Sequence, residues 1–136
     1  MPDWCVSGKI VSLMSSYGPH LMLDLAQCDP DKLNDLSHCF ELLDTLPAAI
    51  GMTKITQPNV FRYRDCAPEE QGITGVVIIA ESHISLHTYP AKSFVFMDIF
   101  SCKPFDVVKT EALCVDWFGC QAPEVNLVER GRLFLR

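Results

Sequence analysis

Three strand-like runs lie close together between residues 76 and 100, and they limit the folds open to this chain. The first is the β-branched sequence Val76-Val77-Ile78-Ile79, the second spans residues 84–88, and the third spans residues 94–100. Apolar, β-branched and aromatic runs of this length are typical of buried strands. Because the strands are clustered and helical patterns flank them, the sequence predicts an antiparallel sheet covered by helices.

The flanking helices carry recognisable start and stop signals. Asp29 is placed to cap a helix with Pro30 in its first turn, and Pro47 stands at or near its end. A second helix is expected to open at Pro104 and to close at Gly119. Each pattern has apolar side chains at helical spacing, so each helix is expected to bury one face.

Further strands are predicted at residues 21–25, 52–56 and 126–128, and residues 57–71 form the longest irregular stretch. An irregular stretch of that length is usually functional or mobile. We expect an α+β fold in which residues 1–136 form a single domain, a two-layer sandwich of one sheet with helices on one face. The other face needs cover, for example from a second subunit.

Composition excludes several classes of function. The chain has 136 residues, 49% of them hydrophobic and 21% charged, which suits one ordered globular domain. A net charge of -6 argues against nucleic acid and anionic membranes as partners. No apolar run approaches the roughly 20 residues that span a bilayer. A small-molecule ligand is the better expectation.

Cysteine usage indicates a reducing compartment. The seven cysteines are odd in number and include no C-x-x-C pair, and residues 1–4 lack the basic and apolar features of a signal peptide. We therefore expect a cytoplasmic protein with free thiols, most of them small buried hydrophobic residues. The seven positions are Cys5, Cys28, Cys39, Cys66, Cys102, Cys114 and Cys120.

Residues 81–87 gather reactive groups directly after the first strand-like run. His83, His87 and Cys102 suggest a zinc site, although no fourth ligand is evident and His83 is more simply a hydrogen-bonded structural residue. Ser82 and His87 suggest a nucleophile and its base, but the Gly-x-Ser-x-Gly motif of serine hydrolases is absent. A third interpretation is that Ser82 attacks the carbonyl of Glu81 in its own chain.

The third interpretation agrees with a family resemblance. The run Glu81-Ser82-His83-Ile84-Ser85-Leu86-His87-Thr88-Tyr89-Pro90, followed by residues 98–102, closely resembles the small prokaryotic pyruvoyl-dependent S-adenosylmethionine decarboxylases. The similarity extends upstream through residues 72–76 and Gly18-Pro19-His20, so it covers about residues 17–120. No metal is expected in a member of this family.

The resemblance implies self-cleavage between Glu81 and Ser82. Residues 1–81 would become the β chain, and residues 82–136 would become the α chain, in which Ser82 is converted to the pyruvoyl cofactor. The pyruvoyl group forms a Schiff base with the substrate and acts as an electron sink during loss of carbon dioxide. By the same resemblance His87 is the processing base, Thr74 supplies an assisting hydroxyl where serine is usual, and Cys102 is the proton donor.

Two positions depart from the family pattern and bear on the substrate. Tyr89 replaces a tryptophan, and Ala91 replaces a glutamate expected to hold the ribose hydroxyls of the nucleoside. Losing a hydrogen bond to a charged group costs about 1.5 to 3 kcal/mol, so adenosine recognition should weaken. Since relatives of the family decarboxylate L-arginine or L-ornithine, we slightly favour those substrates.

Several residues are candidates for contacts with such a substrate. Asp98, Glu69 and Glu70 are acidic groups for a cationic side chain, and Asp98 is also a possible substitute for the missing glutamate. Phe61 or Tyr63 is expected to wall the site, where an aromatic ring can stack on adenine or on a guanidinium. The family further implies a homodimer of αβ protomers with the active site near the subunit boundary.

Two alternatives to this assignment stay open. The first is an S-adenosylmethionine decarboxylase that makes the aminopropyl donor for spermidine. The second is an unprocessed, non-catalytic homologue, which the intact Ser82, Thr74, His87 and Cys102 argue against. In all but the last case the sequence predicts an enzyme of polyamine biosynthesis.

Overall fold

The computed structural model describes residues 16–136, whose elements are one sheet and three helices. The strands are β1 (Gly18–Ala26), β2 (Asn59–Tyr63), β3 (Gly72–Ile79), β4 (Ser82–Tyr89), β5 (Phe94–Ser101) and β6 (Ala122–Arg130). The helices are α1 (Pro30–Leu33), α2 (Leu36–Ala49) and α3 (Val107–Phe118), and short 3-10 turns lie at Pro68–Glu70 and Pro90–Lys92. Cys5 and residues 1–4, which were examined above for signal-peptide features, lie outside the described residues.

The six strands are ordered β2-β3-β4-β5-β1-β6, and every neighbouring pair is antiparallel. Alternate side chains of the central strands point to one face and are fully buried there, for example Leu23, Leu86 and Met97. Apolar side chains of the helices, including Leu43 of α2 and Phe118 of α3, belong to the same core. The predicted α+β fold, with helices on one face of an antiparallel sheet, is confirmed.

Aspartate caps set where the helices begin. The Asp29 carboxylate accepts a hydrogen bond from the Asp31 N–H at 2.9 Å, as predicted. The first predicted helix is nevertheless two helices, because Asp35 caps a new one and accepts from the His38 N–H at 3.1 Å. This second helix continues two residues past Pro47, since a proline near the last turn removes only one backbone donor.

The second predicted helix is shorter than expected and ends as expected. It begins at Val107, because the Asp106 carboxylate accepts from the Lys109 N–H at 3.0 Å and so caps it, three residues after Pro104. It ends at Gly119, whose φ of 62° is a left-handed conformation that glycine adopts without a steric penalty.

The weaker strand predictions needed correction. A strand at residues 52–56 is wrong, because only Lys54 makes an isolated bridge there, to Ile79. The strand instead lies at Asn59–Tyr63, inside the stretch predicted to be irregular. This edge strand includes the polar residues Asn59 and Arg62, so its composition did not predict a strand. The strand predicted at 126–128 is the middle of the nine-residue β6.

The sheet face opposite the helices, called the open face below, has no covering element among residues 16–136. The antiparallel register places Thr74, His87 and Phe96 in one row across it, and Ile78, His83 and Phe100 in another. Its exposed apolar side chains are Phe61, Tyr63, Ile78, Phe96 and Val128. No helix in the described part of the chain is long and apolar enough to cross a membrane.

Candidate active site

Ser82 occupies an unusual position at the start of β4. Only Ala80 and Glu81 connect β3 to β4, and Ser82 has a φ of 155°. A residue with a side chain rarely adopts such a value, and holding it there costs about 1 to 3 kcal/mol. The surrounding contacts must therefore fix this backbone, and the strain is concentrated at the residue that follows the Glu81 carbonyl.

Both the backbone carbonyl and the side chain of Glu81, the residue before Ser82, are bound by neighbouring groups. The Cys102 N–H donates a hydrogen bond to the Glu81 carbonyl oxygen at 2.9 Å. The Glu81 carboxylate accepts from the Thr53 N–H at 3.0 Å and lies 3.8 Å from the Lys103 Nζ. A donor on a carbonyl oxygen stabilises negative charge that develops there, so this carbonyl is prepared for nucleophilic attack.

Tyr17 is a member of the site that sequence reasoning missed. Its hydroxyl oxygen lies 3.1 Å from the Ser82 Oγ. The two residues are 65 positions apart, so no local sequence pattern indicates the contact. Antiparallel pairing explains it, because Ser82 pairs with Ser101 at the end of β5, next to the start of β1.

His87 and Thr74 form a second pair, on the open face. The Thr74 Oγ1 lies 3.1 Å from the His87 Nδ1, because the two residues are directly opposite in the β3–β4 register. This hydrogen bond orients the imidazole. The two residues predicted to act in processing, Thr74 and His87, are therefore in direct contact.

The structure does not bring His87 to Ser82 within one chain. Both belong to β4, five residues apart. At a rise of about 3.3 Å per residue they are separated by about 17 Å. Five positions in sequence suggested a shared site, but an extended strand converts those positions into distance.

Cys102 is the one candidate that stays beside Ser82. It follows the end of β5 and is half-buried, and its N–H is the donor on the Glu81 carbonyl. The buried cysteines Cys28, Cys39, Cys114 and Cys120 are core residues, as predicted, whereas Cys66 is half-buried. Burial raises the pKa of both Cys39 and Cys114 to about 12, so these thiols are protonated and unreactive.

Several polar and charged side chains cluster around Phe100. They are His20, His83, Asp98 and Arg130. The His20 Nε2 lies 2.9 Å from the Asp98 Oδ1, and His83 packs edge-on against Phe100. The pKa of His83 is lowered, mainly by burial and next by His20, while Asp98 opposes the shift. No group of three or more His, Cys, Asp or Glu side chains within residues 16–136 is arranged to hold a metal ion.

The candidate substrate contacts lie toward the other end of the sheet. Phe61 is exposed on β2 and pairs directly with Thr74, and Tyr63 is exposed near it. Ala91 is exposed in the turn Pro90–Lys92, which packs against the turn Pro68–Glu70 that carries Glu69 and Glu70.

Asp98 is less suited than those two glutamates to act beside Ala91. It pairs with Ser85, four residues along β4 from Tyr89, which corresponds to about 13 Å. It is also already engaged by His20. Within one chain, the elements that pack against the turn Pro90–Lys92 carry the acidic residues Glu69, Glu70 and Asp31.

Comparison with known proteins identifies the family of the chain. The fold, together with the family model and the relatives that match the sequence, defines the chain as a pyruvoyl-dependent decarboxylase made as a self-cleaving proenzyme. The family model that matches, over residues 19–131, describes S-adenosylmethionine decarboxylase. The chain belongs to that family, whose members generate their pyruvoyl group from one of their own serines.

Individual relatives resemble the chain over most of its length. An S-adenosylmethionine decarboxylase proenzyme of Clostridium botulinum is 33% identical over 121 residues, which cover 88% of this chain and 99% of that protein. A proenzyme of the same description from Thermodesulfovibrio yellowstonii is 31% identical over 121 residues, covering 87% and 84%. The crystal structure of the adenosylmethionine decarboxylase from Aquifex aeolicus VF5 superimposes with a TM-score of 0.74 at 27% identity, covering 86% of this chain and 92% of that one.

Proposed function

We propose that Glu81-Ser82 is the bond this proenzyme cleaves, giving a β chain of residues 1–81 and an α chain of residues 82–136. One observation carries the proposal: the Glu81 carbonyl accepts a hydrogen bond from the Cys102 N–H, directly before a serine with a φ of 155°. The donor favours attack on this carbonyl, and cleavage releases the backbone strain at Ser82.

The proposed cleavage has two stages. First the Ser82 Oγ attacks the Glu81 carbonyl carbon, the peptide C–N bond breaks, and an ester and a free amino group result. A base then removes the Ser82 α-proton, the Cβ–O bond breaks, and the Glu81 carboxylate leaves. The dehydroalanine that remains tautomerises, and water replaces its nitrogen, which departs as ammonia.

The residues around position 82 fit the group formed there. When present, the pyruvoyl group supplies a conjugated carbonyl that accepts the electron pair released as carbon dioxide leaves. Cys102 is half-buried next to residue 82, so its thiol is placed to return a proton to the substrate carbon. The Glu81 carboxylate already contacts Thr53 and Lys103, and these contacts can retain the new C-terminus of the β chain.

The proposed processing base must come from a second copy of the chain. His87 lies about 17 Å along β4 from Ser82, which is too far for proton transfer within one protomer. The exposed apolar side chains of the open face suit burial against another sheet. We therefore propose a homodimer of αβ protomers that associate through their open faces.

Symmetry makes this arrangement productive. In an isologous dimer each patch meets the same patch of the partner. A two-fold axis passing near Ser85, midway between Ser82 and His87 along β4, would exchange the two ends of the strand. Ser82 and Cys102 of one protomer would then face the partner's Thr74 and the partner's His87.

For the substrate we propose a cationic α-amino acid, L-arginine or L-ornithine. Two features support this proposal. Ala91 offers no carboxylate for a ribose, and the turn that packs against it carries the exposed acids Glu69 and Glu70. Carboxylates bind ammonium and guanidinium groups through charge-assisted hydrogen bonds. Phe61 and Tyr63 lie toward the same end of the sheet and add a surface for cation-π stacking. Cytoplasmic location and a role in polyamine synthesis stay predictions.

The second candidate is S-adenosylmethionine itself, as the source of the aminopropyl group of spermidine. The relatives favour it, because the Clostridium botulinum protein and the Thermodesulfovibrio yellowstonii protein both carry that substrate in their names. In that case an acid other than residue 91 would have to hold the ribose hydroxyls. Glu69 and Glu70, on the turn that packs against Pro90–Lys92, are available for that contact.

Two measurements test the proposal. A mass spectrum of the purified protein should show two fragments divided at residue 82 in place of the 15.3 kDa chain, and Ser82→Ala should stay intact. An intact parent chain would favour the non-catalytic homologue. Carbon dioxide release is then measured in parallel from L-arginine, L-ornithine and S-adenosylmethionine. Turnover of S-adenosylmethionine alone would refute the amino-acid substrate, and Ala91→Glu should improve that substrate only.

A further inference from the structure

The last residues of the chain return to the Ser82 end of the sheet. After β6 the chain turns at Gly131, which has a φ of 75°. A Cβ at this position would lie 2.4 Å from the Tyr17 Cβ, so glycine allows the turn to approach Tyr17. The Phe134 N–H closes the turn by donating to the Gly131 carbonyl at 3.0 Å. Residues 133–136, called the C-terminal strap below, thereby come close to Tyr17 and to the proposed cleavage site at Ser82.

Two side chains of the C-terminal strap hold Tyr17. The Phe134 ring meets the Tyr17 ring edge-on, with centroids 5.0 Å apart. The Arg136 guanidinium lies 5.6 Å from the centroid of the same ring. It also donates to the carbonyl oxygens of Ser16 at 3.0 Å and Cys102 at 2.8 Å, and to that of Tyr17. Arg136 therefore ties the start of β1 to the segment that binds the Glu81 carbonyl.

We propose that Tyr17 is a positioning residue for self-cleavage, and that the C-terminal strap keeps it in place. The Tyr17 hydroxyl is 3.1 Å from the Ser82 Oγ, and Phe100 supports its ring on another side at 5.5 Å between centroids. This inference rests on the proposed cleavage at Glu81-Ser82. The residues of the C-terminal strap lie outside the family resemblance, since that resemblance ends near residue 120.

The role follows from the geometry that attack requires. A serine side chain has three staggered rotamers, and attack needs the Oγ directed at the Glu81 carbonyl carbon. A hydrogen bond to a fixed phenol restricts the rotamer, and correct placement of reacting atoms accelerates an intramolecular step. In that step the Ser82 Oγ bonds to the Glu81 carbon, the C–N bond breaks, and the hydroxyl proton ends on the released Ser82 amine. Tyr17 is neither consumed nor changed.

The main test is the rate of cleavage of freshly made Tyr17→Phe proenzyme, followed by gel or mass spectrometry. Phenylalanine keeps the ring contacts with Phe134 and Phe100, so the thermal midpoint should match that of the parent. Cleavage should slow by roughly threefold to tenfold, as expected for loss of one hydrogen bond. Cleavage at the parent rate would overturn the proposal. The proposed function fails separately, if the parent itself is not cleaved.

Hydroxylamine identifies the affected step, because it cleaves the ester but does not attack an intact peptide bond at a comparable rate. Tyr17→Phe should form ester slowly, so hydroxylamine should not restore its rate. Rapid cleavage by hydroxylamine would show accumulated ester and would overturn the assignment to the first stage.

A second pair of variants tests the C-terminal strap. Arg136→Gln should also slow cleavage, because it removes the guanidinium contacts with Tyr17 and Cys102. Arg132→Gln is the matched control, since Arg132 is highly exposed and contacts Glu129 at 3.6 Å on the surface. It should cleave at the parent rate. Equal rates for the two variants would overturn the role of the C-terminal strap.

Discussion

At the scale of single residues, the proposed cleavage mechanism uses groups at two separate places in the sheet. Ser82, with the Cys102 N–H on the preceding carbonyl, carries the groups for ester formation. The Thr74 hydroxyl and the His87 imidazole, 3.1 Å apart, carry the groups for removing a proton. Because the two sets are separate, variants in each set should stop different stages.

Thr74→Val should slow the second stage and leave the first intact. Valine has nearly the shape of threonine but cannot hydrogen-bond the His87 Nδ1, so the imidazole loses its orientation. We expect cleavage to slow by roughly tenfold with ester accumulating, which hydroxylamine should then cleave quickly, the opposite of Tyr17→Phe. Thr74→Ser is the control and should retain the parent rate. Slow cleavage without ester would contradict this prediction.

His83 should make the folded protein less stable in mild acid. The pKa of His83 in the folded chain is lowered from about 6.5, mainly by burial and next by the neighbouring His20, while Asp98 opposes the shift. As the pH falls through 6.5, the unfolded chain takes up a proton that the folded chain does not, so the free energy of unfolding decreases. In a Ser82→Ala background, urea unfolding at pH 7.5 and 5.5 should show a smaller decrease for His83→Gln. An equal decrease in both proteins would contradict the assignment.

At the scale of helices and strands, the sequence was most informative where one local signal decides the outcome. Asp29 and Gly119 set helix ends that were predicted correctly, because a cap acts within a few residues. The strand at Asn59–Tyr63 was missed, because β3 beside it, and not its own composition, makes it a strand. The Tyr17 contact was missed for a related reason, since it depends on the order of strands in the sheet.

The cap of α3 offers a test at this scale. Asp106→Ala removes the acceptor for the Lys109 N–H, which should lower the free energy of unfolding by about 1 kcal/mol. Asp106→Asn keeps an acceptor and should cost much less. Asp116→Ala is the matched control, because Asp116 is an exposed residue inside the same helix, and its effect should stay within about 0.5 kcal/mol. Urea unfolding of the three variants measures these differences, and equal losses for Asp106→Ala and Asp116→Ala would contradict the capping role.

At the scale of the whole molecule, the two faces of the sheet support the proposed dimer. Helices cover one face, while the open face exposes Phe61, Phe96 and Val128. The same face presents His87 about 17 Å from the Ser82 it is proposed to serve. The proposed isologous dimer would cover the apolar side chains and would bring the two ends of β4 opposite each other.

Mixing two inactive chains tests this dimer directly. In Ser82→Ala the cleavable residue is lost, and in His87→Ala the proposed base is lost, so neither homodimer should be cleaved efficiently. When the two are co-expressed with different tags, a heterodimer has one site that combines Ser82 of the His87→Ala chain with His87 of its partner. We expect only the His87→Ala chain to be cleaved. Because each heterodimer contains one such chain, at most half of all chains in the purified heterodimer should be cleaved. The matched control pairs His87→Ala with a chain that carries both Ser82→Ala and His87→Ala, and it should give no cleavage, because neither copy then supplies the imidazole. An uncleaved His87→Ala chain in a purified heterodimer would show that Ser82 and His87 do not meet across two protomers.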